Sequence, residues 1–552
     1  MTRAVAGDRG MVSSLHVLAS EAGCEILRRG GNAVDAAIAT ALALNVVMPH
    51  MCGIGGEGRA LIYERESGST SVVNWSARTP RRASADMFEL EPERERVVLG
   101  ASVPLTGWAA VRDDANEHGP LAALVPGAPA GYELTLERHG SMSFAEVAAP
   151  AIHLAEEGFA ITPAFARHVG ENADLLHRYP ATAEVFLGDG YRRRWGLSGP
   201  ERWLVQRDLA QTLRVIASEG SEAFYRGAIA ERIASFMREV GGLIDEEDLA
   251  GYQAEVLEPS HGRFQGMHTY GVPGGGTTVV QVLNILDGFD LAGEPVNSPR
   301  VLHLFLEAVR VAFLDRVRHM SGDLDRVPWR GLASAEHAAE LRAQIDPKRA
   351  ISVQEHVRSD PSRFDGDTTH FCVVDGDRNV VSSTLTLGSA FGSRVVVPGT
   401  GILLNGLMHS LNPEPGDINS IGPDKRRRIP HAASLLVHPD GRPAMAVGSP
   451  GGEKQIVATL QTILGVTLHG LSVQEAIDAP RVFRGLRDEI YVSHLMPEAT
   501  LAALRALGHT VAPRVKQVFG FGRPNGILID HPEVGTLDGG ADRDTDGAAI
   551  AA

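Results

Sequence analysis

One segment near the N-terminus constrains the fold strongly, because it predicts a helix that is apolar on nearly every side. Residues 32–47 read NAVDAAIATALALNVV, with Asn32 placed as an N-cap and Asp35 as the one charged side chain. A surface helix keeps a polar face, so this helix has to lie deep in a core. Asp35 is then expected to hydrogen-bond buried backbone or a polar neighbour. The apolar part is too short to cross a bilayer.

The chain is long enough to hold more than one core. Its 552 residues predict two lobes or one large two-subunit sandwich. The formal charge of −16 repels polyanions, so neither nucleic acid nor a membrane is expected as a partner, and solubility is the simpler reason for the charge. The first residues, MTRAVAGDRG, lack a charged-then-apolar signal pattern, which favours a cytoplasmic location.

The three cysteines give no sign of a disulfide framework or a metal site. Cys24, Cys52 and Cys372 lie far apart and in no CxxC or Cys/His ligand spacing. Cys372 falls in an apolar, strand-like run, which favours a packing role. No metal and no organic cofactor is expected.

Periodicity predicts the remaining elements. An amphipathic helix begins near Ser20 and ends at Gly30-Gly31, and further helices are expected at 144–158, across 207–240, from His303 and at 454–464. The strand RALIYER follows a turn at 53–58, and later strands are expected around 402–404, 434–437 and 445–447. The tail from Gly535 is rich in Asp, Gly and Ala, and about its last ten residues are expected to be loose.

The amino-acid composition of the chain changes after residue 350. Residues 361–367, PSRFDGD, are polar and turn-rich and are typical of an exposed linker. The runs THFCVVD and NVVSSTLTL follow directly, separated by a short connection, and predict two paired strands.

The junction between linker and strand, Asp367-Thr368-Thr369-His370, has a chemical interpretation. A threonine hydroxyl is a weak nucleophile unless a base lies beside it, and an N-terminal threonine carries its own amine as that base. Such a residue requires cleavage of the bond between Asp367 and Thr368. Paired threonines are also common at strand starts, and on this pattern alone the ordinary strand is favoured.

Two further features bear on that interpretation. Thr386 lies on the second strand and could place a hydroxyl beside Thr368, although a β-branched residue is ordinary in a strand. Residues 448–452, GSPGG, lie between a strand and a helix, where bare backbone N–H groups can form an oxyanion hole. For that string alone a plain turn is favoured.

In this order, these motifs resemble the gamma-glutamyltranspeptidase family. The resemblance covers nearly the whole chain and rests on these strings: GMVSSLHVLASEAGCEILRRGGNAVDAAIATALAL, GIGGEG, VPGAPAGYELTLERHG, IDEEDLAGYQAEV, VPGGGTTVVQVLNILDGFDL, EAVRVAFLDRVRHM, DTTHFCVVDGDRNVVSSTLTL, GILLNGLM, GSPGGEKQIVATLQTILG, LSVQEAIDAPRVF and LRALGHTV.

The resemblance implies an α/β fold, the four-layer αββα sandwich of N-terminal-nucleophile hydrolases. It also implies self-cleavage into a large subunit, residues 1–367, and a small subunit, residues 368–552, which stay together as a heterodimer; a dimer of heterodimers is the further assembly considered. By the same resemblance Thr368 is the nucleophile and Thr386 its hydrogen-bond partner. Gly451 and Gly452 match the oxyanion-hole glycines.

The glutamyl-binding residues of the family are altered in this sequence. The family holds the substrate α-carboxylate with the arginine of an Arg-Glu-x-Ala-Pro motif, and Ser76 stands at that position. Arg78 lies two residues later, and the sequence leaves open whether it enters the pocket. The aspartate that holds the α-ammonium is replaced by Ser410, in NGLMHS at 405–410, and Leu407 takes the adjacent polar position.

Three smaller departures accompany these two. A Ser-Ser pair that contacts the carboxylate is replaced by Ile429-Pro430 or residues close by, and the asparagine two positions after the second threonine is Gly388. The loop at 413–425 is shorter than in members with a lid over the pocket. His409 and Ser410 are expected to line the altered pocket. The basic run at 425–428, KRRR, could attract an anionic substrate, but a solvated turn is favoured.

Three functions remain possible from the sequence. Losing a desolvated charged pair costs roughly 2–5 kcal/mol, so an acyl hydrolase of a small-molecule substrate without a glutamyl group is favoured. The cephalosporin-acylase-like members and the antibiotic-pathway members of the family, some assigned C–C bond hydrolysis, give it precedents. The second is a conventional glutathione-degrading enzyme with a rebuilt pocket that uses Arg78. The third is an unprocessed, inactive scaffold.

Overall fold

The computed structural model describes the backbone of residues 5–7, 9–92, 108–188, 191–196, 199–351, 367–485, 488–516, 520–529 and 536–552. The predicted linker at 361–367 lies outside these ranges, apart from the backbone of Asp367.

Two seven-stranded sheets form the centre of the molecule. The first sheet contains, in spatial order, β10 (Glu255–Leu257), β4 (Ser69–Asn74), β3 (Glu57–Glu64), β14 (Val380–Gly388), β13 (Asp367–Val374), β2 (Met11–Ser14) and β24 (Ala548–Ala551). The second sheet contains β1 (Val5–Gly7), β23 (Leu537–Ala541), β22 (Asn525–Leu528), β18 (Pro443–Gly448), β17 (Ser434–Val437), β12 (Met267–Gly271) and β11 (Ser260–Phe264).

Every neighbouring pair of strands in these two sheets is antiparallel. Short strands make smaller sheets at the periphery: β5 (Leu90–Glu91) with β6 (Ala110–Val111); β7 (Phe159–Ala160), β9 (Gly199–Leu204) and β8 (Tyr191–Gly196); β15 (Val396–Val397) with β16 (Ile402–Leu403); and β19 (Val482–Arg484), β20 (Glu489–Val492) and β21 (Thr510–Val511).

Helices cover the outer face of each sheet. Those on the side of the first sheet are α1 (Val17–Arg28), α2 (Ala33–Val47), α3 (Ala128–His139), α4 (Phe144–Glu157), α5 (Pro163–His177), α6 (Pro180–Phe186), α7 (Arg207–Glu219), α8 (Glu222–Tyr225), α9 (Ala228–Glu239) and α10 (Glu246–Ala250). Those on the side of the second sheet are α11 (Gly275–Leu286), α12 (Pro299–His319), α13 (Trp329–Leu332), α14 (Ala335–Arg342), α15 (Lys454–His469), α16 (Val473–Asp478) and α17 (Glu498–Ala506).

Three apolar layers separate these four layers of structure. One lies between the first helical layer and the first sheet, and a second lies between the second sheet and its helices. The third lies between the sheets, where alternate residues such as Leu61 and Cys372 face Leu435 and Ile527. The buried position of Cys372 confirms its predicted packing role.

Helix α2 lies where its composition requires. Every one of its residues is buried, and Asn32 caps it in a reciprocal arrangement with Asp35. The Asp35 carboxylate also accepts hydrogen bonds from the backbone of Ser141 and Met142, which confirms its predicted role. No helix in the described ranges has the length and apolar character needed to span a membrane.

The prediction of a loose C-terminal tail is wrong. Residues Ala548–Ala551 form β24, which pairs along the full length of β2. Ser20 Oγ and Cys24 Sγ of α1 donate to its carbonyl groups at Ala548 and Ile550, over 2.8 and 3.2 Å. Small Gly and Ala residues were misread as signs of disorder, whereas here they let an edge strand fit closely against α1.

Deleting residues 548–552 should therefore destabilise the protein. The deletion leaves the buried β2 without one of its two neighbours, and each buried backbone group without a partner costs about 1–3 kcal/mol. A lower thermal unfolding midpoint than that of the full chain is the expected result. Deleting Ala552 alone is the control, because it removes a single bond to Gly10 O. Equal midpoints for the full chain and the longer deletion would contradict this role.

Candidate active site

Thr368 lies at the start of β13, in the interior of the first sheet. Its side chain is 5% exposed and its cross-strand partner is Thr386. The strand register shifts between Asp367 and Thr368, so the bond predicted to break lies at an irregularity in the ladder. Such irregularities re-aim side chains and are common beside active sites.

The hydroxyl groups of Thr368 and Thr386 are in contact. Thr368 Oγ1 donates to Thr386 Oγ1 over 3.3 Å, and Thr386 Oγ1 also accepts from the backbone N–H of Gly388 over 2.8 Å. Directly opposed residues of an antiparallel pair face the same side of the sheet. The predicted placement of a second hydroxyl beside Thr368 therefore agrees with the geometry.

The GSPGG string forms the loop between β18 and α15. Gly451 and Gly452 have φ values of +126° and +57°, a region that favours glycine. A Cβ on Gly451 would lie 3.0 Å from Gly522 Cα. The loop has two backbone N–H groups, those of Gly451 and Gly452, at the N-terminal end of α15 that donate to no acceptor in the described part of the chain.

Contacts at His370 hold the two sheets together beside this loop. A Cβ on Gly448 would come within 2.3 Å of the His370 ring, and Asn525 Nδ2 donates to His370 O over 2.7 Å. His370 Nδ1 is 2.9 Å from Thr384 Oγ1, and burial lowers its pKa to about 3. A neutral, buried imidazole with this partner supports the predicted structural role. These contacts set the end of β18 against the start of β13.

Ser76, at the position of the family's missing arginine, lies next to a different arginine. Arg59 on β3 directs its guanidinium to this place: Nε donates to Asn74 Oδ1 over 2.9 Å and to Ser76 Oγ over 3.2 Å. Its Nη1 donates to Pro273 O. A guanidinium therefore remains beside position 76, although it comes from a neighbouring strand.

Arg78 points to another partner. Its Nη1 pairs with Asp424 over 3.0 Å, and its side chain is partly exposed. Its backbone forms bridges with Val125 and Arg426. The structure does not bring the Arg78 guanidinium together with Thr368, so its assignment to the pocket stays a prediction.

Gly388 and Leu407 fit each other closely. Gly388 has a φ of +99°, and a Cβ there would lie 2.9 Å from Leu407 Cδ2. Leu407 is fully buried in an apolar cluster with Met408 and Leu411. A side chain larger than hydrogen at position 388 would therefore collide with Leu407.

His409 and Ser410 lie on one short 3-10 turn, Met408–Ser410. His409 is fully buried, its Nδ1 lies 2.5 Å from Gly406 O, and its Nε2 lies 3.3 Å from Ser410 Oγ. Ser410 is 7% exposed. No carboxylate occupies this turn, so it carries no charge that could hold an ammonium group.

The interpretation of residues 425–428 as a solvated basic turn is wrong for its three arginines. Arg426, Arg427 and Arg428 are buried. Arg427 Nε donates to Glu57 Oε1 over 2.9 Å, and Glu57 Oε2 accepts from Ala77 N over 2.8 Å. The run therefore packs against the first sheet instead of facing water.

Sequence reasoning did not single out Glu57 and Arg59, which contact Ala77 and Ser76 respectively. Both lie on β3, two positions apart, and so face the same side of the sheet as Leu61. The available signal was a pair of charged residues at alternate positions of β3, on the face that continues with Leu61 and Tyr63. In the described part of the chain, no three His, Cys, Asp or Glu side chains lie close enough to hold a metal ion.

The layered architecture, with a threonine at the start of an inner strand, is that of an N-terminal-nucleophile hydrolase. A family model described as Gamma-glutamyltranspeptidase matches residues 19–552. The Acylase ACY 1 proenzyme of Pseudomonas sp. (strain SE83) is 37% identical over 551 residues, which is 99% of this chain and 94% of that protein.

Two further comparisons agree with the match to this family. The Glutathione hydrolase proenzyme of Bacillus subtilis (strain 168) is 33% identical over 569 residues, covering 99% of this chain and 92% of that protein. The crystal structure of cephalosporin acylase from Bacillus halodurans superposes with a TM-score of 0.84 at 30% identity, covering 100% of this chain and 97% of that one. The chain belongs to the gamma-glutamyltranspeptidase family. It is an enzyme of the hydrolase or transferase type.

Proposed function

We propose that Thr368 is the nucleophile of an acyl hydrolase, and that the chain generates it by cleaving itself. The observation that carries this proposal is the contact between the Thr368 and Thr386 hydroxyl groups at the start of β13. In the precursor, Thr368 Oγ1 attacks the carbonyl carbon of Asp367 and the amide becomes an ester. Breaking of the C–N bond in that step frees the Thr368 amine, and water then hydrolyses the ester, which releases the Asp367 carboxylate and restores the Thr368 hydroxyl.

In the mature enzyme the free amine of Thr368 takes the proton from its own hydroxyl. The oxygen attacks the substrate carbonyl, and the N–H groups of Gly451 and Gly452 bind the oxyanion. The tetrahedral intermediate expels the leaving amine, which carries the proton away. Water then hydrolyses the acyl-enzyme, releases the acid and restores Thr368. An amine in place of water would give acyl transfer.

The cleaved parts, residues 1–367 and 368–552, would remain one heterodimer. Each sheet contains strands from both sides of Thr368: β13, β14 and β24 join β2, β3, β4 and β10, while β17, β18, β22 and β23 join β1, β11 and β12. Separating the parts would break both sheets. A dimer of heterodimers is the larger assembly we consider.

The substrate is proposed to lack a conventional glutamyl group. Ser410 replaces the family's ammonium-binding aspartate, and Leu407 fills the space beside Gly388. We infer that a secondary-metabolite intermediate is cut at an amide or at a C–C bond next to a carbonyl, as in antibiotic biosynthesis. Relatives named acylase support an acyl group other than glutamyl.

The test is release of p-nitroaniline from γ-glutamyl-p-nitroanilide, measured beside the Bacillus subtilis relative under the same conditions. We expect kcat/KM to be lower by about 10²-fold or more, because a buried ammonium without a charged partner costs several kcal/mol. Equal turnover by the two enzymes would instead support a conventional glutathione hydrolase with a rebuilt pocket. A wild-type protein that stays as one band on a denaturing gel would support an inactive scaffold.

A further inference from the structure

The two glycines of the GSPGG loop have a conformational freedom that an oxyanion hole has to suppress. Gly451 and Gly452 have φ values of +126° and +57°, and neither has a side chain that restricts rotation of the adjoining peptide units. The Gly451 N–H shares a peptide unit with the carbonyl of Pro450, and the Gly452 N–H shares one with the carbonyl of Gly451. Because a peptide unit is planar and trans, its N–H and C=O point in opposite directions. The contacts of the two carbonyls therefore fix the direction of the two N–H groups.

The peptide unit between Gly451 and Gly452 is held by the backbone at the start of α15. Gly451 O accepts a hydrogen bond from the backbone N–H of Lys454 over 3.0 Å, and Gly452 O accepts one from the backbone N–H of Gln455 over 3.3 Å. These two bonds close the turn that leads into the helix. The direction of the Gly452 N–H is thereby set by the main chain alone.

The peptide unit between Pro450 and Gly451 is held by a side chain. The Ser449 hydroxyl donates to Pro450 O over 2.7 Å. The backbone N–H of Arg523 also reaches Pro450 O, over 3.4 Å, but it lies closer to Ser449 Oγ, at 2.9 Å. Because Ser449 Oγ accepts from this N–H, its own proton remains for Pro450 O. The shorter bond to Pro450 O thus comes from the hydroxyl, which makes Ser449 the main restraint on the direction of the Gly451 N–H.

The Ser449 side chain is itself held in place by the segment around Gly522. Ser449 is fully buried. Gly522 has a φ of +74°, and a Cβ there would lie 2.7 Å from Ser449 Oγ and 3.0 Å from Pro450 O. Arg481 Nη1 donates to Gly522 O over 2.6 Å, and Arg481 forms a buried ion pair with Asp542 over 2.6 Å. The backbone of Gly522 therefore packs directly against the hydroxyl and is anchored from its other side.

The same segment connects the loop to the strand that carries Thr368. Asn525, three residues after Gly522, begins β22 and pairs with Gly448 at the end of β18. Its Nδ2 donates to His370 O over 2.7 Å, and His370 lies two residues after Thr368 on β13. One continuous stretch, residues 522–525, therefore contacts both the GSPGG loop and the strand of the nucleophile.

We propose that Ser449 is a positioning residue for the reaction of Thr368. Its hydroxyl holds Pro450 O, so that the Gly451 N–H faces the oxyanion that forms when Thr368 Oγ1 attacks a carbonyl. The proposal rests on the acyl-hydrolase function above and adds a residue to it. Without the hydroxyl, the 3.4 Å bond from Arg523 is the restraint that remains on Pro450 O, and the glycine lets the peptide unit rotate. The loss is felt where the oxyanion develops, and not when the substrate binds.

The experiment measures hydrolysis of p-nitrophenyl butyrate by purified, self-cleaved enzyme. Ser449→Ala should lower kcat by about 10-fold or more, less than the loss of a whole oxyanion donor, with KM within about twofold of wild type. Ser449→Thr keeps a hydroxyl and should recover most of the lost kcat. Ser13→Ala is the matched control, because Ser13 is also fully buried and its hydroxyl donates to Gly540 O over 2.8 Å. It should lower the thermal unfolding midpoint, as Ser449→Ala does, and leave kcat within about twofold of wild type.

Inhibition by butylboronic acid distinguishes positioning from a purely structural role. Thr368 Oγ1 adds to the boron, its proton passes to the freed amine of the same residue, and the boron becomes a tetrahedral anion that resembles the oxyanion intermediate. Such analogues bind through the contacts that stabilise the transition state. Ser449→Ala should therefore raise the inhibition constant by about the factor by which it lowers kcat. Ser13→Ala should leave the inhibition constant unchanged.

The assignment of Ser449 would be overturned by a Ser449→Ala enzyme that keeps both kcat and the boronate inhibition constant within about twofold of wild type. An equal fall in kcat in Ser13→Ala would also overturn it, since the effect would then reflect general destabilisation. If Ser449→Ala does not mature, Ser449→Cys decides, because a thiol is a weaker donor and should still lower kcat with KM unchanged. Failure of the acyl-hydrolase proposal would appear in the wild type, as an uncut chain or as protein that releases no p-nitrophenol.

Discussion

Thr368→Ala should yield a single uncut chain of 58.9 kDa with no acyl-hydrolase activity. The substitution removes the only atom that, in the proposed mechanism, attacks both the Asp367 carbonyl and the substrate. Removal of the nucleophile of a serine protease lowers kcat by about 10⁴-fold or more, and a loss of that order is expected here. A denaturing gel and peptide mass mapping of the purified protein measure the first effect, and acyl-anilide turnover measures the second.

Two matched variants sharpen the result. Thr368→Ser keeps the hydroxyl and should still give a new N-terminus at position 368. Thr369→Ala changes the adjacent threonine, whose hydroxyl faces Met48 Sδ at 3.9 Å, and should cut normally. Two fragments from Thr368→Ala would point to another protease or another site. In that case the proposal that the freed amine of Thr368 acts as the catalytic base would lose its support.

The part of the site that the sequence predicted is the part built by short-range pairing. The two runs after residue 367 are joined by a tight connection, so their antiparallel register follows from their lengths and brings Thr368 to Thr386. The helix at 32–47 was predictable for a similar reason, because its composition excludes an exposed face. The GSPGG loop was placed correctly between a strand and a helix.

The burial of Arg426, Arg427 and Arg428 was not predictable, because their contacts join distant parts of the chain. Glu57 and Arg427 are 370 positions apart, and nothing local to 425–428 distinguishes a buried arginine from a solvated one. Arg59 gave a faint signal as a charged residue on an apolar strand face. The prediction of a loose C-terminal tail was wrong for a related reason, because β24 pairs with β2, near the opposite end of the chain.

Arg427 and Glu57 form a buried ion pair that joins the run at 425–428 to β3. Breaking a buried ion pair by removing one partner costs about 3–5 kcal/mol, since it leaves an uncompensated charge. Arg427 and Arg316 each have such a partner, so removing Glu57 or Glu453 is expected to destabilise the protein.

Gly451→Ala should lower kcat by about 10²–10³-fold, the range found when one oxyanion donor is lost. At a φ of +126° an alanine is strained, and its Cβ would lie 3.0 Å from the backbone of Gly522. The loop has to shift, and the two free N–H groups move away from the developing oxyanion. KM should change little, because the loss is felt mainly in the transition state.

Gly470→Ala is the matched control, because Gly470 lies at the other end of the same helix, α15. It also has a positive φ, +65°, but a Cβ there meets no atom within 4 Å. Its left-handed backbone costs an alanine roughly 1–2 kcal/mol of stability, with kcat unchanged. Comparing kcat and the unfolding midpoint of the two variants separates strain from catalysis. A Gly451→Ala enzyme that kept kcat within threefold of wild type would place the oxyanion somewhere other than the GSPGG loop.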